Sequence, residues 1–335
     1  MGDASLPADT VLAELHRLMF LAAVGEASEL VGSMCLEHLR TGGKIFRAQL
    51  ALSAADALGV KREEALGWAA AVELLHNATL VHDDIQDGDS VRRGEPTVWA
   101  RHGVPQAINA GDLMLMLPIS RLIADIPAPE EIRWRLAQAL CRTAEEIVRG
   151  QGADISLLSR LYADPALDAA DEVVRCAEQK TAALIALCVE GAALLSRRST
   201  HEAKRLARPF ALMGVVFQLV DDIIDGYGNK GRKERGNDLR EGKVSILIAE
   251  QLALTPTDRG ELLPVLSTPR HLTADEDVSW ALDRMLRSGA VAAAACRVEA
   301  LSQRARAEVE PALANQLHAA LRKATDPLAS IRVWS

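Results

Sequence analysis

The sequence predicts an all-α protein, a single large helical bundle, and three observations carry that prediction. Apolar residues recur at three- and four-residue spacing through most of the chain, the signature of amphipathic helices. Aromatic residues are few, with 4 Phe, 5 Trp and 2 Tyr in 335 residues, while alanine and leucine abound, a balance that favours helix over strand. No ladder of strands and no alternation of strands with helices is visible, which removes sandwiches and parallel α/β folds.

The helical pattern runs through residues 11–31, 64–81, 107–123, 130–148, 171–195 and 202–224. Between these segments fall Thr41-Gly42-Gly43, the stretch 92–96, Pro127 with Pro129, Asp164-Pro165, residues 226–236, and a looser stretch at 263–272 containing Pro264 and Pro269. Helices that are apolar over a wide face and joined by short loops pack most simply with central helices surrounded by others. No linker divides the chain, so residues 1–335 are expected to form one domain.

Composition narrows the function. The chain is 49% hydrophobic and 25% charged, which excludes intrinsic disorder. Its net charge of −8, from 38 basic and 46 acidic residues, argues against nucleic acid as a partner. Five widely spaced cysteines with no C-x-x-C pair read as reduced, buried thiols of a cytoplasmic protein. The first residues lack the basic start and apolar stretch of a secretory leader. The greasiest segment, residues 181–195, contains Glu190 and is too short to span a bilayer core of ~30 Å, so no transmembrane segment is expected.

One internal echo carries chemistry. Leu80-Val81-His82-Asp83-Asp84-Ile85-Gln86-Asp87 and Leu219-Val220-Asp221-Asp222-Ile223-Ile224-Asp225 are both apolar helices ending in D-D-x-x-D, too far apart for a solenoid repeat. On a helix Asp83 and Asp87 share a face, as do Asp221 and Asp225. Like charges at that spacing cost ~0.2–0.5 kcal/mol even when exposed, so a cation is expected to compensate them. Mg2+ suits the pattern because it takes a few carboxylates and completes its shell with substrate phosphates and water. A calcium loop counted from Asp83 fails, with Ile85 at its third position and Gly94 at its twelfth. Basic residues follow both clusters, Arg92-Arg93 after the first and Lys230 through Lys243 after the second. Two facing clusters of this kind would bridge metal ions to a phosphorylated ligand.

These motifs resemble those of the trans-type isoprenyl diphosphate synthases, or polyprenyl synthetases, across roughly residues 42–245. The resemblance implies a bundle of the isoprenoid synthase type with a central substrate cavity, a homodimer, and Mg2+ as cofactor, three ions with substrate bound. Gly42-Gly43-Lys44-Ile45-Phe46-Arg47 is similar to the family's Gly-Gly-Lys-x-x-Arg. By that likeness Lys44, Arg47, His76 and Arg93 hold isopentenyl diphosphate. Two departures stand out: Ile45 where arginine is usual and Ala48 where proline usually follows. Arg92, Lys180, Lys233 and Lys243 inherit the allylic diphosphate, and Lys180, Thr181 and Gln218 inherit catalytic roles beside the six aspartates. Gly111-Asp112 and Gly150-Gln151-x-x-Asp154 read as packing and polar support. Phe217 reads equally as core or as a substrate contact.

The implied reaction ionises an allylic diphosphate (dimethylallyl, geranyl or farnesyl), joins the cation to isopentenyl diphosphate and loses a proton to leave a trans double bond. Small side chains at Ala78 and Thr79 leave room for growth. Leu75, with Leu74, Ala71, Leu184 and Leu187, is a candidate floor, which gives geranylgeranyl diphosphate as the expected product and farnesyl or longer products as alternatives. A class I terpene cyclase would read N-D-x-x-S-x-x-x-E at the second motif, where this chain has Asp225 and Asn229 at the serine and glutamate positions. A noncatalytic synthase subunit would dispense with one cluster, and both are complete.

Overall fold

The computed structural model describes residues 8–24, 30–228 and 235–331, and they are all-α apart from one minimal hairpin. In chain order the helices are α1 (Ala8–Ala23), α2 (Leu30–Arg40), α3 (Phe46–Ala57), α4 (Arg62–Gln86), α5 (Val98–His102), α6 (Val104–Leu117), α7 (Glu130–Ala163), α8 (Ala169–Ala177), α9 (Ala183–Leu195) and α10 (Thr200–Tyr227). They continue as α11 (Asn237–Arg240), α12 (Ile246–Leu254), α13 (Arg259–Ser267), α14 (Asp275–Ser288), α15 (Ala290–Glu308) and α16 (Ala314–Thr325). Two compact units contain them: Met1–Ala144 with Leu187–Ala207, and Glu145–Ala186 with Arg208–Ser335.

The first unit is organised on α4. Glu63 and Glu64 in its first turn complement the positive end of the helix dipole, and Gly88, at φ +70°, turns the chain away just past Asp87. From Trp68 to Leu75 every α4 side chain is buried, as only a helix surrounded on all sides requires, and α1, α3, α6 and the turn after α6 pack against it. Trp68 is the largest fully buried side chain, its indole N–H donating to the Cys188 carbonyl at 3.2 Å. Gly191 leaves the space the ring occupies; a Cβ there would overlap the indole.

Three expectations need correction in this unit. The pattern at 11–31 is not one helix: α1 ends at Ala23 and α2 begins at Leu30, with residues 25–29 outside the described ones. The pattern at 107–123 changes pitch at Pro118, which has no N–H for an α-helical bond, and continues as a π-helical turn Pro118–Ile123. The absence of strands is also incomplete, because Val91–Arg92 (β1) pairs antiparallel with Glu95–Pro96 (β2). Its loop residues Arg93 and Gly94 both have positive φ, 54° and 85°, the combination a tight type I′ hairpin demands.

The second unit is built around α12, buried from Ile246 through Leu252, with α8, α14 and α15 against it. Pro264 falls inside α13, so the looser stretch expected at 263–272 is helical through Ser267. Between α8 and α9 the helix opens into a π turn, Glu178–Ala182. The thiols also differ from expectation: Cys35, Cys176 and Cys188 are buried, but Cys141 and Cys296 are exposed, on helix faces turned to solvent. No helix among the described residues is long and apolar enough to cross a membrane.

Replacing Gly191 by valine should lower the stability of the protein by roughly 1–3 kcal/mol, because the added atoms must displace a fully packed indole. Urea unfolding checks this, and an unchanged midpoint would mean that the ring has somewhere else to go.

Candidate active site

Both aspartate clusters stand at the C-terminal ends of their helices. Asp83 and Asp84 lie in the last turn of α4 and Asp87 is its cap, just outside the helix; Asp221, Asp222 and Asp225 lie in the last two turns of α10. A helix C-terminus carries the negative end of the dipole, so three carboxylates there oppose the dipole and one another. Nothing about helix stability favours this placement. It is favourable only if cations are brought to it.

In the first unit the hairpin brings one. Asp84 is 1% exposed, and Arg92 on β1 donates to its Oδ1 through Nε at 2.7 Å and Nη2 at 2.6 Å. Burial pushes the Asp84 pKa up, and the Arg92 guanidinium works against that shift. Its second oxygen, Oδ2, is buried without a hydrogen-bond partner. Arg93, next in the hairpin, lays its guanidinium over Gly43, where a Cβ would approach Nη1 to 2.7 Å. That close approach, with φ +71° at Gly42, explains the double glycine. Lys44 is exposed on the same segment, and Arg47 in the first turn of α3 donates from Nη1 to His76 Nε2 at 3.0 Å. Burial holds the His76 pKa well below its ordinary value, and the charges of Arg47, Arg92 and Arg93 reinforce this, so the ring is a neutral acceptor. The Nε of Arg47 is buried with no partner.

Along α4 from Asp83, the residues read for chain length are Thr79, Ala78 and Leu75. Ala78 and Leu75 are fully buried, and the Thr79 hydroxyl donates back to the His76 carbonyl at 2.8 Å.

In the second unit Lys180 and Thr181 sit in the π turn, a geometry that re-aims side chains from a regular helix. Lys180 Nζ is 2.6 Å from Asp154 Oδ2, and Gly150 makes room for the turn, since a Cβ there would lie 2.6 Å from that of Gln179. The Thr181 hydroxyl donates to Gln218 Oε1 at 2.8 Å, and Gln218 Nε2 donates to Asp222 Oδ1 at 2.9 Å. The threonine proton is thereby committed, and what Thr181 presents elsewhere is lone pairs. Phe217 is 37% exposed, so it is not a core residue.

Asp222, 2% exposed, also accepts the Ile246 backbone N–H at 3.0 Å and lies 3.4 Å from Lys243 Nζ. Asp225 accepts from the Asp238 N–H at 3.0 Å, which ties the segment after α10 back to the helix. Burial alone would lower the Lys243 pKa, but Asp222, Asp238, Asp154 and Asp221 outweigh it and hold the ammonium charged. Arg240 braces this segment on Asp275 and the Thr273 carbonyl, at 2.5 and 3.1 Å. Lys233, read as a second allylic contact, and Asn229 lie outside the described residues.

Among the described residues no three acidic, histidine or cysteine side chains are grouped closely enough to hold an ion by themselves. A Mg2+ ion that draws much of its shell from diphosphate and water needs no such cage. The orphaned Asp84 Oδ2, and the carboxylates massed at the negative end of each helix, fit cations of this kind.

Sequence reading passed over two residues here. Glu73, one turn before His76, is buried and accepts a backbone N–H from α3, and its i, i+3 spacing from His76 was the available signal. His38, in the last turn of α2, is 3% exposed, its Nε2 has no partner, and no sequence pattern marks it. Burial, with Arg92 and Arg93 nearby, lowers its pKa to about 4.

With this geometry in view, the sequence places the chain in a known family. The polyprenyl synthetase family matches residues 28–285, and the chain belongs to it. It is therefore a prenyltransferase of the trans-isoprenyl diphosphate synthase class. It is 35% identical over 232 residues to the geranylgeranyl diphosphate synthase of Saccharolobus solfataricus, covering 68% of each chain. It is 38% identical over 213 residues to the (2E,6E)-farnesyl diphosphate synthase of Mycobacterium bovis, covering 63% of this chain and 57% of that one. A crystal structure of geranylgeranyl pyrophosphate synthase from Corynebacterium glutamicum, complexed with isoprenyl diphosphate and magnesium, superposes with a TM-score of 0.79 at 25% identity over 96% of this chain and 100% of that one.

His38 makes stability fall in acid. The unfolded chain binds a proton at an ordinary histidine pKa of about 6.5 and the folded one only near 4, so stability is lost as pH drops through that window. Between pH 7 and pH 5 the loss from this residue should be about 2 kcal/mol, read from urea midpoints. His38→Gln should remove that part of the acid sensitivity.

Proposed function

We propose that this chain is a Mg2+-dependent synthase that condenses isopentenyl diphosphate with an allylic diphosphate (dimethylallyl, geranyl or farnesyl), most often ending at geranylgeranyl diphosphate, and that residues 1–335 act as one catalytic domain. The observation that carries this reading is the pair of D-D-x-x-D clusters at helix C-termini, each with basic residues brought to it. Bound Mg2+ would be held by Asp83, Asp84 and Asp87 at the end of α4 and by Asp221, Asp222 and Asp225 at the end of α10, and would neutralise charge on the diphosphate. The magnesium complex of the Corynebacterium glutamicum relative supports that choice of ion.

The remaining roles follow from the side chains. Lys180, Lys243 and Arg92 bind the allylic diphosphate and stabilise the negative charge that develops as the allylic C–O bond breaks and its electron pair leaves with the diphosphate. The Thr181 lone pairs face the resulting cation without trapping it, their orientation fixed through Gln218 and Asp222. Lys44, Arg47 and Arg93 bind isopentenyl diphosphate, whose π electrons form the new C–C bond, and the proton then lost passes to the released diphosphate. No side-chain nucleophile takes part.

Twenty carbons is supported by a ruler along α4. In place of the floor expected at Leu75, the ruler ends two turns deeper at Trp68, which precedes Asp83 by 15 residues, about 22 Å at helical rise, and is the first large aromatic below the small Ala78 and Ala71. Four extended isoprene units advance roughly 20 Å by ordinary bond lengths. A homodimer is also part of the proposal, supported by the exposed Val104, Ile108 and Met116 on α6, and mass in solution checks it.

Purified protein given Mg2+, isopentenyl diphosphate and each allylic starter should yield a twenty-carbon alcohol after dephosphorylation. A fifteen-carbon product, like that named for the Mycobacterium bovis relative, would keep the class and reject the ruler. Cyclic hydrocarbon without use of isopentenyl diphosphate, or no turnover, would reject the class. Asp83→Ala and Asp221→Ala should each lower turnover by about 100-fold or more while leaving the circular dichroism spectrum intact. Trp68→Leu should shift products beyond twenty carbons.

A further inference from the structure

The first turn of α3 has an unusual start. Its N-cap, Ile45, sits in the left-handed region at φ 40°, which is costly for a β-branched residue, and its apolar side chain caps no backbone N–H. The donor that a capping side chain would ordinarily satisfy, the Ala48 N–H, is bonded instead to Glu73 Oε2 of α4 at 3.1 Å. Glu73 is 4% exposed, so this is a buried carboxylate placed at the positive end of a helix by a different helix. Burial pushes its pKa up, and Arg47, the Ala48 N–H and Arg93 pull it back down.

Arg47 is the residue just before Ala48 in that turn. Its guanidinium is held by His76, three residues after Glu73 on α4. The two contacts hold both ends of the arginine: Glu73 fixes the backbone from which it projects, and His76 fixes its head. A proline in place of Ala48 would leave Glu73 no N–H to accept.

We propose that Glu73 is a positioning residue for isopentenyl diphosphate: it caps α3 from outside through the Ala48 N–H and so fixes Arg47. The inference rests on the proposed role of Arg47 as a ligand of that substrate. It makes Ala48 part of the site through its backbone alone, and it accounts for a strained Ile45 that has no cap of its own.

Equilibrium binding of isopentenyl diphosphate to the full chain, together with steady-state KM for both substrates, tests this. Glu73→Ala should weaken isopentenyl diphosphate binding by about tenfold, the value of a lost helix cap, and leave the KM of the allylic substrate and kcat within about twofold. Glu73→Gln keeps an acceptor oxygen and should restore most of the affinity. Ala48→Pro, tolerated sterically in a first helical turn, should weaken binding as Glu73→Ala does, and combining the two should cost nothing further. Wild-type affinity in Ala48→Pro, equal losses for both substrates, or additive losses in the double variant would overturn the proposal. If the wild-type protein does not bind isopentenyl diphosphate at all, the proposed function fails instead.

Discussion

Carboxylates at the wrong end of a helix are the constraint from which the rest of this structure follows. Two long apolar helices each end in three aspartates, where the helix dipole and mutual repulsion both oppose negative charge. Each unfavourable term is small on an exposed helix, but Asp84, Asp222 and Asp225 are buried, and a buried carboxylate without compensation is far more costly. The chain meets that cost with irregular backbone. A two-residue hairpin delivers Arg92, and a short segment after α10 folds back to deliver Lys243 and the Asp238 N–H.

The two clusters solve the problem in the same way despite having no backbone device in common. In each, the middle aspartate is almost completely buried and pairs with a basic side chain, Asp84 with Arg92 and Asp222 with Lys243. Within a D-D-x-x-D the second position therefore organises the surroundings. Asp222 does so most fully, holding Gln218, Lys243 and the first N–H of α12 at once, so that a change of its charge reaches a helix start, a lysine and, through Gln218, the Thr181 hydroxyl.

Helical period and motif spacing made most of the fold and the aspartates legible, because both depend on local sequence. What stayed hidden depends on contacts between distant segments. Nothing in Glu73 alone announces that its partner is the N–H of Ala48, since a backbone donor has no letter of its own. The π turn at Glu178–Ala182 is hidden for a related reason: Lys180 and Thr181 read as ordinary helical positions, and the room for the turn comes from Gly150 on a distant helix. Trp68 was visible as a residue but not as a packing centre, because its setting comes from the missing side chain at Gly191 and from the indole bond to Cys188. Exposure at Cys141 and Cys296 likewise follows from which face of a helix meets its neighbours.

The histidines of the first unit show how positive charge is apportioned around the proposed diphosphate site. His38 and His76 both feel the charges of Arg92 and Arg93, and His76 that of Arg47 as well, and burial with those charges keeps both rings neutral well below physiological pH. A protonated ring here would add attraction for diphosphate, but it would make that attraction vary with pH in the neutral range. A neutral ring can instead accept a hydrogen bond, which is what His76 does for Arg47, and so it orients a cation without competing with it. Charge in this pocket is thus carried by guanidinium groups that do not titrate, while the imidazoles set direction. Diphosphate affinity in such a site should be governed by the ligand's own ionisation down to mildly acidic pH, and the acid-sensitive quantity is the stability of the fold.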